Sequence, residues 1–131
     1  MMTFKIHDKQ TAEAVEKSPE ARFNYFVFRA VKSEELWTLA DENGFVVSQV
    51  EDERSIPVWP HAEFASEWIK DDWAQCQPLR IEMSAWRNNW LPGLAADGVV
   101  ISVFPKLGQD VVVVDSEELI ASFKDEYDAQ K

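Results

Sequence analysis

The stretch that most constrains the fold runs from Ile56 to His61, where two prolines lie on either side of Val58 and a tryptophan. Pro57 and Pro60 each hold φ at about −65° and each removes a backbone donor. The residue before a proline is pushed towards extended geometry, whereas Pro60 also suits the first turn of a helix. The stretch therefore predicts a short apolar strand, a rigid corner, and then a helix over Ala62 to Lys70.

Local signals on both sides of this corner predict further helices and strands. Ser18-Pro19 and the pair Asp115 and Glu118 are typical of helix starts, and Asn43-Gly44 is typical of a tight turn between two strands. The predicted helices cover Asp8 to about Lys17, Ser18 to about Lys32, Ala62 to Lys70, a segment from Ser84 that Pro92-Gly93 ends, and a segment from Asp115 to about Lys124. The predicted strands are Leu36–Ala40, Phe45–Val50, the strand that begins at Ile56, Leu79–Met83, Val99–Phe104 and Val111–Val114.

This order of elements predicts an α+β protein with a mixed β-sheet of about five to six strands and helices packed over it. The apolar runs Val99–Val103 and Val111–Val114 indicate strands that are central or covered on both faces. We expect a single domain over residues 1–131, with a polar N-terminal segment at 1–17, a core at 18–125 and a tail at 126–131.

The charge of the chain limits its partners. The sequence carries 24 acidic and 13 basic residues, for a net charge of −11. Nucleic acids and anionic membranes are polyanions, so this charge argues against both as direct partners. A basic protein partner is compatible with it, although solubility alone is the simpler explanation of an acidic surface.

The single cysteine and the short length of the apolar runs indicate the cellular compartment. Cys76 is the only cysteine, so no internal disulfide forms. The segment Met1–Gln10 contains no apolar stretch of signal-peptide length, and no apolar run is long enough to span a membrane. We therefore expect a cytoplasmic protein.

Several short motifs together carry a resemblance to a known family. They are Leu36-Trp37-Thr38-Leu39, Asn43-Gly44, Ile56-Pro57-Val58-Trp59-Pro60, Trp90-Leu91-Pro92-Gly93-Leu94, Gly98 to Pro105, Val111–Val114 and Ser116-Glu117-Glu118-Leu119. This pattern resembles the bacterial family catalogued as domain of unknown function 2750, over roughly residues 18 to 125. The layout is similar, more distantly, to SseB-like domains. The first resemblance implies a fold and no catalytic residues, and the second implies accessory or interaction roles by analogy of fold alone.

No pattern in the sequence predicts a metal, a cofactor or a catalytic nucleophile. His61 would share a helical face with Phe64 and Ala65, neither of which binds metal, so we interpret it as a surface or capping residue. Cys76 has no oxidoreductase or protease motif around it and is typical of a small buried hydrophobe. We expect no cofactor and no metal, and interpret the chain as a non-enzymatic protein.

The six tryptophans are the most distinctive feature. Core packing explains most of them, but Trp73, Trp86 or Trp90 would also suit a groove or an interface. The candidate binding residues are Trp59, His61, Trp86, Arg87 and Trp90. The sequence favours a non-enzymatic protein-interaction module of immunity, adaptor or regulatory type. The alternative is a small-molecule-binding protein or minor enzyme with a pocket near Trp59 and His61. A homodimer is a further hypothesis, because the aromatic residues are many for one core.

Overall fold

The computed structural model describes residues 18–50 and 52–130. The helices are α1 (Pro19–Ser33), α2 (Ala62–Ser66), α3, which runs through Met83–Ala85, the π-helical turn Trp86–Trp90 and Leu91–Asp97, and α4 (Ser116–Ala129). The strands are β1 (Glu35–Asp41), β2 (Gly44–Phe45), β3 (Ser48–Val50), β4 (Glu53–Val58), β5 (Gln77–Glu82), β6 (Val100–Val103) and β7 (Val112–Val114). The helix predicted from Asp8 to about Lys17 lies outside the described residues.

The strands form two sheets, and the predicted α+β class is confirmed. One sheet has the order β2-β1-β5 and is antiparallel, while the other has the order β3-β4-β6-β7 and contains the parallel pair β4 and β6. The predicted strand Phe45–Val50 is divided between them. Gly44 and Phe45 pair with β1, Val46 and Val47 leave the ladder, and Ser48 to Val50 pair with β4. Within the described residues, this division gives seven strands in two sheets instead of five to six in one.

The two valine-rich strands lie at different places in the four-stranded sheet. β6 lies between β4 and β7, as its apolar sequence predicts, but β7 is at the edge. Val112 and Val113 are only half-buried. The prediction that both strands are central or doubly covered is therefore wrong for β7. This strand has a neighbour on one side only, so part of its apolar surface stays exposed.

Helix α1 begins and ends as its sequence predicts. The Ser18 hydroxyl accepts a hydrogen bond from the Ala21 N–H at 3.2 Å, and a proline follows at the first helical position. The apolar face with helical spacing contains Phe26, Val27, Ala30 and Val31, which are buried, and Phe23, which is half-buried. Tyr25 lies off that face yet is also buried, so it widens the core. Helix α4 has the predicted capping box between Asp115 and Glu118 and extends beyond Lys124 to Ala129.

Two helix ends differ from the sequence prediction. Helix α2 stops at Ser66, not Lys70, because the N–H of Trp68 bonds to Ala65 and the chain tightens into short turns. Helix α3 continues through Pro92-Gly93 instead of ending there. The π-helical turn explains this, since the Leu91 N–H bonds to the Trp86 carbonyl five residues back and the helix re-forms with a proline at its next position.

Trp59 joins the two sheets at the corner between β4 and α2. Its backbone N–H and carbonyl exchange hydrogen bonds of 2.8 and 2.9 Å with Trp37 of β1. Its side chain has no exposed area, and its indole N–H donates to the Pro105 carbonyl at 3.0 Å. The ring therefore fills the core and satisfies a buried carbonyl of the segment after β6.

We predict that Trp59→Ala destabilises the protein by about 3–5 kcal/mol, because it leaves a large cavity. The melting temperature should fall by about 10 °C or more. Trp59→Phe keeps an aromatic ring but leaves the Pro105 carbonyl without its donor. The melting temperature of this variant should therefore lie between those of the parent and Trp59→Ala. A melt of Trp59→Ala within about 2 °C of the parent would contradict a structural role for this residue.

Candidate functional site

Trp59 and His61 do not reach the surface. Trp59 has no exposed area and His61 is 4% exposed. The extended backbone at His61, with φ of −139°, turns its imidazole towards α1, where Nε2 lies 2.9 Å from the Tyr25 hydroxyl. His61 occupies the position before α2 but makes no capping hydrogen bond with its side chain. Its interpretation as a surface or capping residue is therefore wrong.

Trp86, Arg87 and Trp90 follow one another on the π-helical turn of α3 but face different surroundings. Trp86 has no exposed area, and its ring lies 5.9 Å from that of the half-buried Trp90. Arg87 is exposed and its guanidinium lies 5.1 Å from the ring of Tyr127. Only Trp90 and Arg87 among the five predicted site residues are therefore placed to contact a ligand at the surface.

Trp90 belongs to a concave apolar surface that we name the aromatic patch. Its lining residues come from β2 and α3, and they are Phe45, Asn89, Trp90, Gly93, Leu94 and Asp97. The cavity measures about 320 Å³. Phe45 is 41% exposed, and its ring centroid lies 5.0 Å from that of Trp90. The patch therefore presents two aromatic rings beside one carboxylate and one amide.

Arg87 lines a second cavity, of about 330 Å³, together with residues of both charges, including Glu34, Arg80 and Tyr127. The Tyr127 hydroxyl donates to Glu34 at 2.5 Å. Glu34 follows α1 in the left-handed region, with φ of 59°, and this aims its carboxylate at α4. Burial raises the pKa of Tyr127 to about 12, and the hydrogen bond to Glu34 and its charge add to the shift.

We predict that Tyr127 ionises near pH 12 and that Glu34→Gln lowers its pKa. The folded state favours the neutral phenol, so this stabilisation is complete below pH 10 and is lost as the pH rises from 10 to about 12. The measurement is the difference in phenolate absorbance between the parent and Tyr127→Phe across that range. A Tyr127 pKa near 10, or one that Glu34→Gln leaves unchanged, would contradict the role of this contact.

Two adjoining cavities on the four-stranded sheet form what we name the tryptophan groove. Both are lined by Ser48, Trp68 and Trp73, whose indole rings lie 5.9 Å apart. One cavity, of about 380 Å³, also contacts Val47, Lys70, Asp71 and Leu107. The other, of about 340 Å³, also contacts Gln49, Pro57, Ser102, Pro105, Lys106, Gln109 and Val111. Trp73 was named from the sequence as a candidate groove residue, but Trp68 was not.

A larger hollow beside the β1–β2 turn has less to hold a ligand. Its volume is about 650 Å³, and its lining includes Asp41, Glu42 and Asn43. None of its lining residues is buried, and none is aromatic. It therefore resembles a solvated turn more than a binding site.

The groups that most often carry catalysis or hold metals are dispersed in the described part of the chain. Cys76 is buried as predicted, and burial raises the pKa of its thiol, with the charge of Asp41 adding to the shift. Within residues 18–50 and 52–130, no three His, Cys, Asp or Glu side chains lie together as a metal ion would require. No helix in these ranges combines the length and the apolar character that crossing a bilayer requires.

The described residues thus define a protein of the α+β class, with two sheets joined at one corner and aromatic hollows at its surface. Its sequence matches the family model described as "Protein of unknown function (DUF2750)" over residues 23–123. The chain belongs to this family, as the resemblance in its motifs predicts. No curated protein matches it. The more distant likeness to SseB-like domains stays a prediction.

Proposed function

We propose that this protein is a cytoplasmic, non-enzymatic interaction module that binds a basic protein through the aromatic patch. The observation that carries the proposal is the pairing of exposed Phe45 with half-buried Trp90 in a concave surface. Immunity, adaptor and regulatory roles are all compatible with such a module.

The patch has the composition of a protein contact. Tryptophan and other aromatic residues contribute most of the binding energy at interfaces, where they fill pockets on the partner. Phe45 leaves 41% of its area in water although its neighbours Val46 and Trp90 are more buried. Asn89 and Asp97 border the rings, and polar groups at such a rim fix orientation. A partner that covers Phe45 would gain the burial that the fold does not supply.

The charge of the protein favours a basic partner. A net charge of −11 on 131 residues attracts positive surfaces over a distance of about 8–10 Å in physiological salt. Helix α4 adds Asp125, Glu126 and Asp128 near its end, and Asp125 and Asp128 are exposed. Long-range attraction of this kind raises the association rate more than the final affinity.

The alternative of a small-molecule pocket near Trp59 and His61 has weaker support. Both rings are buried, and the imidazole is already hydrogen-bonded to Tyr25. A ligand would have to open the core to reach them.

We predict that Phe45→Glu abolishes partner binding, because it removes the exposed aromatic ring and places a carboxylate in the apolar centre of the contact. Ile120→Glu is a matched control, since Ile120 is 39% exposed on α4 and lies outside the patch. Proteins captured from native cells by the parent and by Ile120→Glu, but lost with Phe45→Glu, are the specific partners. The proposal is wrong if both variants capture the same proteins as the parent.

Light scattering on the same variants tests the homodimer hypothesis. A dimer mass that falls to that of a monomer only in Phe45→Glu would assign the patch to self-association instead of to a different protein. A monomer mass for the parent over a wide concentration range would exclude the homodimer.

We predict that association with the identified partner slows by about tenfold between low and high salt. The triple substitution of Asp125→Asn, Glu126→Gln and Asp128→Asn should slow it at low salt and leave the dissociation rate nearly unchanged. Stopped-flow measurement of both rates makes the comparison. An association rate that depends on neither salt nor these substitutions would leave the acidity as a solubility feature.

A further inference from the structure

We propose that the tryptophan groove binds a proline-rich peptide segment of another protein in the polyproline II conformation. This site is separate from the aromatic patch and does not depend on what the patch binds. The inference comes from the shape of the groove, its exposed apolar residues, its hydrogen-bond donors and its balanced charge.

The shape of the groove suits an extended ligand. Its two cavities measure about 380 and 340 Å³ and share the Trp68–Trp73 pair as a common wall. A compact small molecule would occupy one of them, whereas an extended peptide crosses the wall and occupies both. In a polyproline II helix, residues three apart lie about 9 Å from each other on the same side. A polyproline II segment therefore offers successive contacts along one side, one for each of the two adjoining hollows.

The groove also concentrates exposed apolar surface. Large hydrophobic residues with more than a third of their area exposed are few in the described chain, and they are Phe45, Val47, Leu107 and Ile120. Val47 and Leu107 both line the groove, beside the half-buried rings of Trp68 and Trp73. Proline rings pack well against aromatic-lined grooves, and the preformed polyproline II helix loses little entropy on binding.

Hydrogen-bond donors line the groove, and a proline-rich segment supplies acceptors. Arg22 donates to Oε1 of Gln109 at 2.9 Å, so the other end of that amide is its NH₂ group, a donor. The indole nitrogen of Trp68 is buried and has no acceptor among the described residues. This ring lines both cavities of the groove, and its N–H is a donor that the fold leaves unused. The carbonyls of a polyproline II helix have no partner within the helix, and proline has no N–H of its own.

The charges in the groove balance one another. Lys106 pairs with Glu67 at 2.6 Å, and Lys70 lies beside Asp71 in the lining. These four residues carry two positive and two negative charges, so the groove is nearly neutral on a protein of net charge −11. An uncharged segment therefore suits it better than a nucleic acid or a highly basic peptide.

The test is titration of the full-length protein with decaproline, measured by calorimetry, against a Gly-Ser peptide of the same length. Saturable binding of decaproline alone is expected. Trp73→Ala should weaken it by at least about tenfold, as removal of a central aromatic contact does. Leu107→Asp should weaken it by about fivefold, and because Leu107 is exposed, this variant should keep the parent's melting temperature.

Control variants separate this site from the aromatic patch. Ile120→Glu and Phe45→Glu should bind decaproline as the parent does, whatever they do to the protein partner. The proposal is overturned if decaproline shows no saturable binding up to a concentration of a few millimolar. It is also overturned if the Gly-Ser peptide binds equally, or if a proline-free strand-forming peptide binds in its place. Unchanged affinity in a folded Leu107→Asp or Trp73→Ala variant overturns it as well.

Discussion

The hydrogen-bonded bridge between Trp37 and Trp59 is the interaction on which the rest of the structure depends. It is the one pairing outside the named strands that the described chain shows, and it fixes the three-stranded sheet against the end of β4. Thr38 reinforces it by donating its buried hydroxyl to the Pro57 carbonyl at 2.6 Å. Since Pro57 has no N–H and Pro60 ends the strand, the prolines limit the contact between sheets to this short region. A longer run of paired residues cannot form there, so the corner is held by this one bridge and by the fixed φ angles of the two prolines.

The segment between β6 and β7 depends on the same corner and on one buried arginine. Trp59 donates to Pro105 from one side. From α1, Arg22 donates to the carbonyls of Phe104 and Asp110 at 3.2 and 2.6 Å, and also to Gln109. The side chain of Arg22 is fully buried, and burial lowers its pKa although nearby carboxylates partly oppose the shift. Loss of this guanidinium would leave the buried Phe104 carbonyl unpaired and would release Gln109 and Asp110, so its main effect is on the shape of this segment.

Local signals in the sequence predicted the elements better than their arrangement. Ser18-Pro19 and the Asp115–Glu118 capping box fixed two helix starts, because a cap depends on residues three apart. The division of Phe45–Val50 between two sheets has no local signal, since Val46 and Val47 read as ordinary strand residues. The π-helical turn before Pro92 was missed for a related reason. Trp86, Trp90 and Leu94 lie four apart, a spacing that an ordinary α-helix also shows, so the sequence does not reveal the π-helical bonding.

The candidate sites show the same limit. Trp90 was identified because tryptophan is enriched in grooves and interfaces, but its contact with Phe45 joins residues 45 positions apart and needs the fold. His61 was misplaced because its proline-bounded position suggests a surface cap, whereas the partner that draws it inward is Tyr25 of α1. The tryptophan groove combines β3, the segment after α2 and the segment after β6. No spacing in the sequence brings those three together.

The attachment of the segment after β6 has a consequence for how this protein varies among its relatives. Both ends of the segment are held by buried groups, Pro105 by Trp59 and Asp110 by Arg22, while Leu107 is exposed between them. Substitutions at Leu107 therefore alter the wall of the groove without disturbing the framework that positions it. Loops anchored in this way are where proteins of one fold acquire different ligands. Sequence change within the family should thus concentrate at this tip, while the length of the segment stays constant.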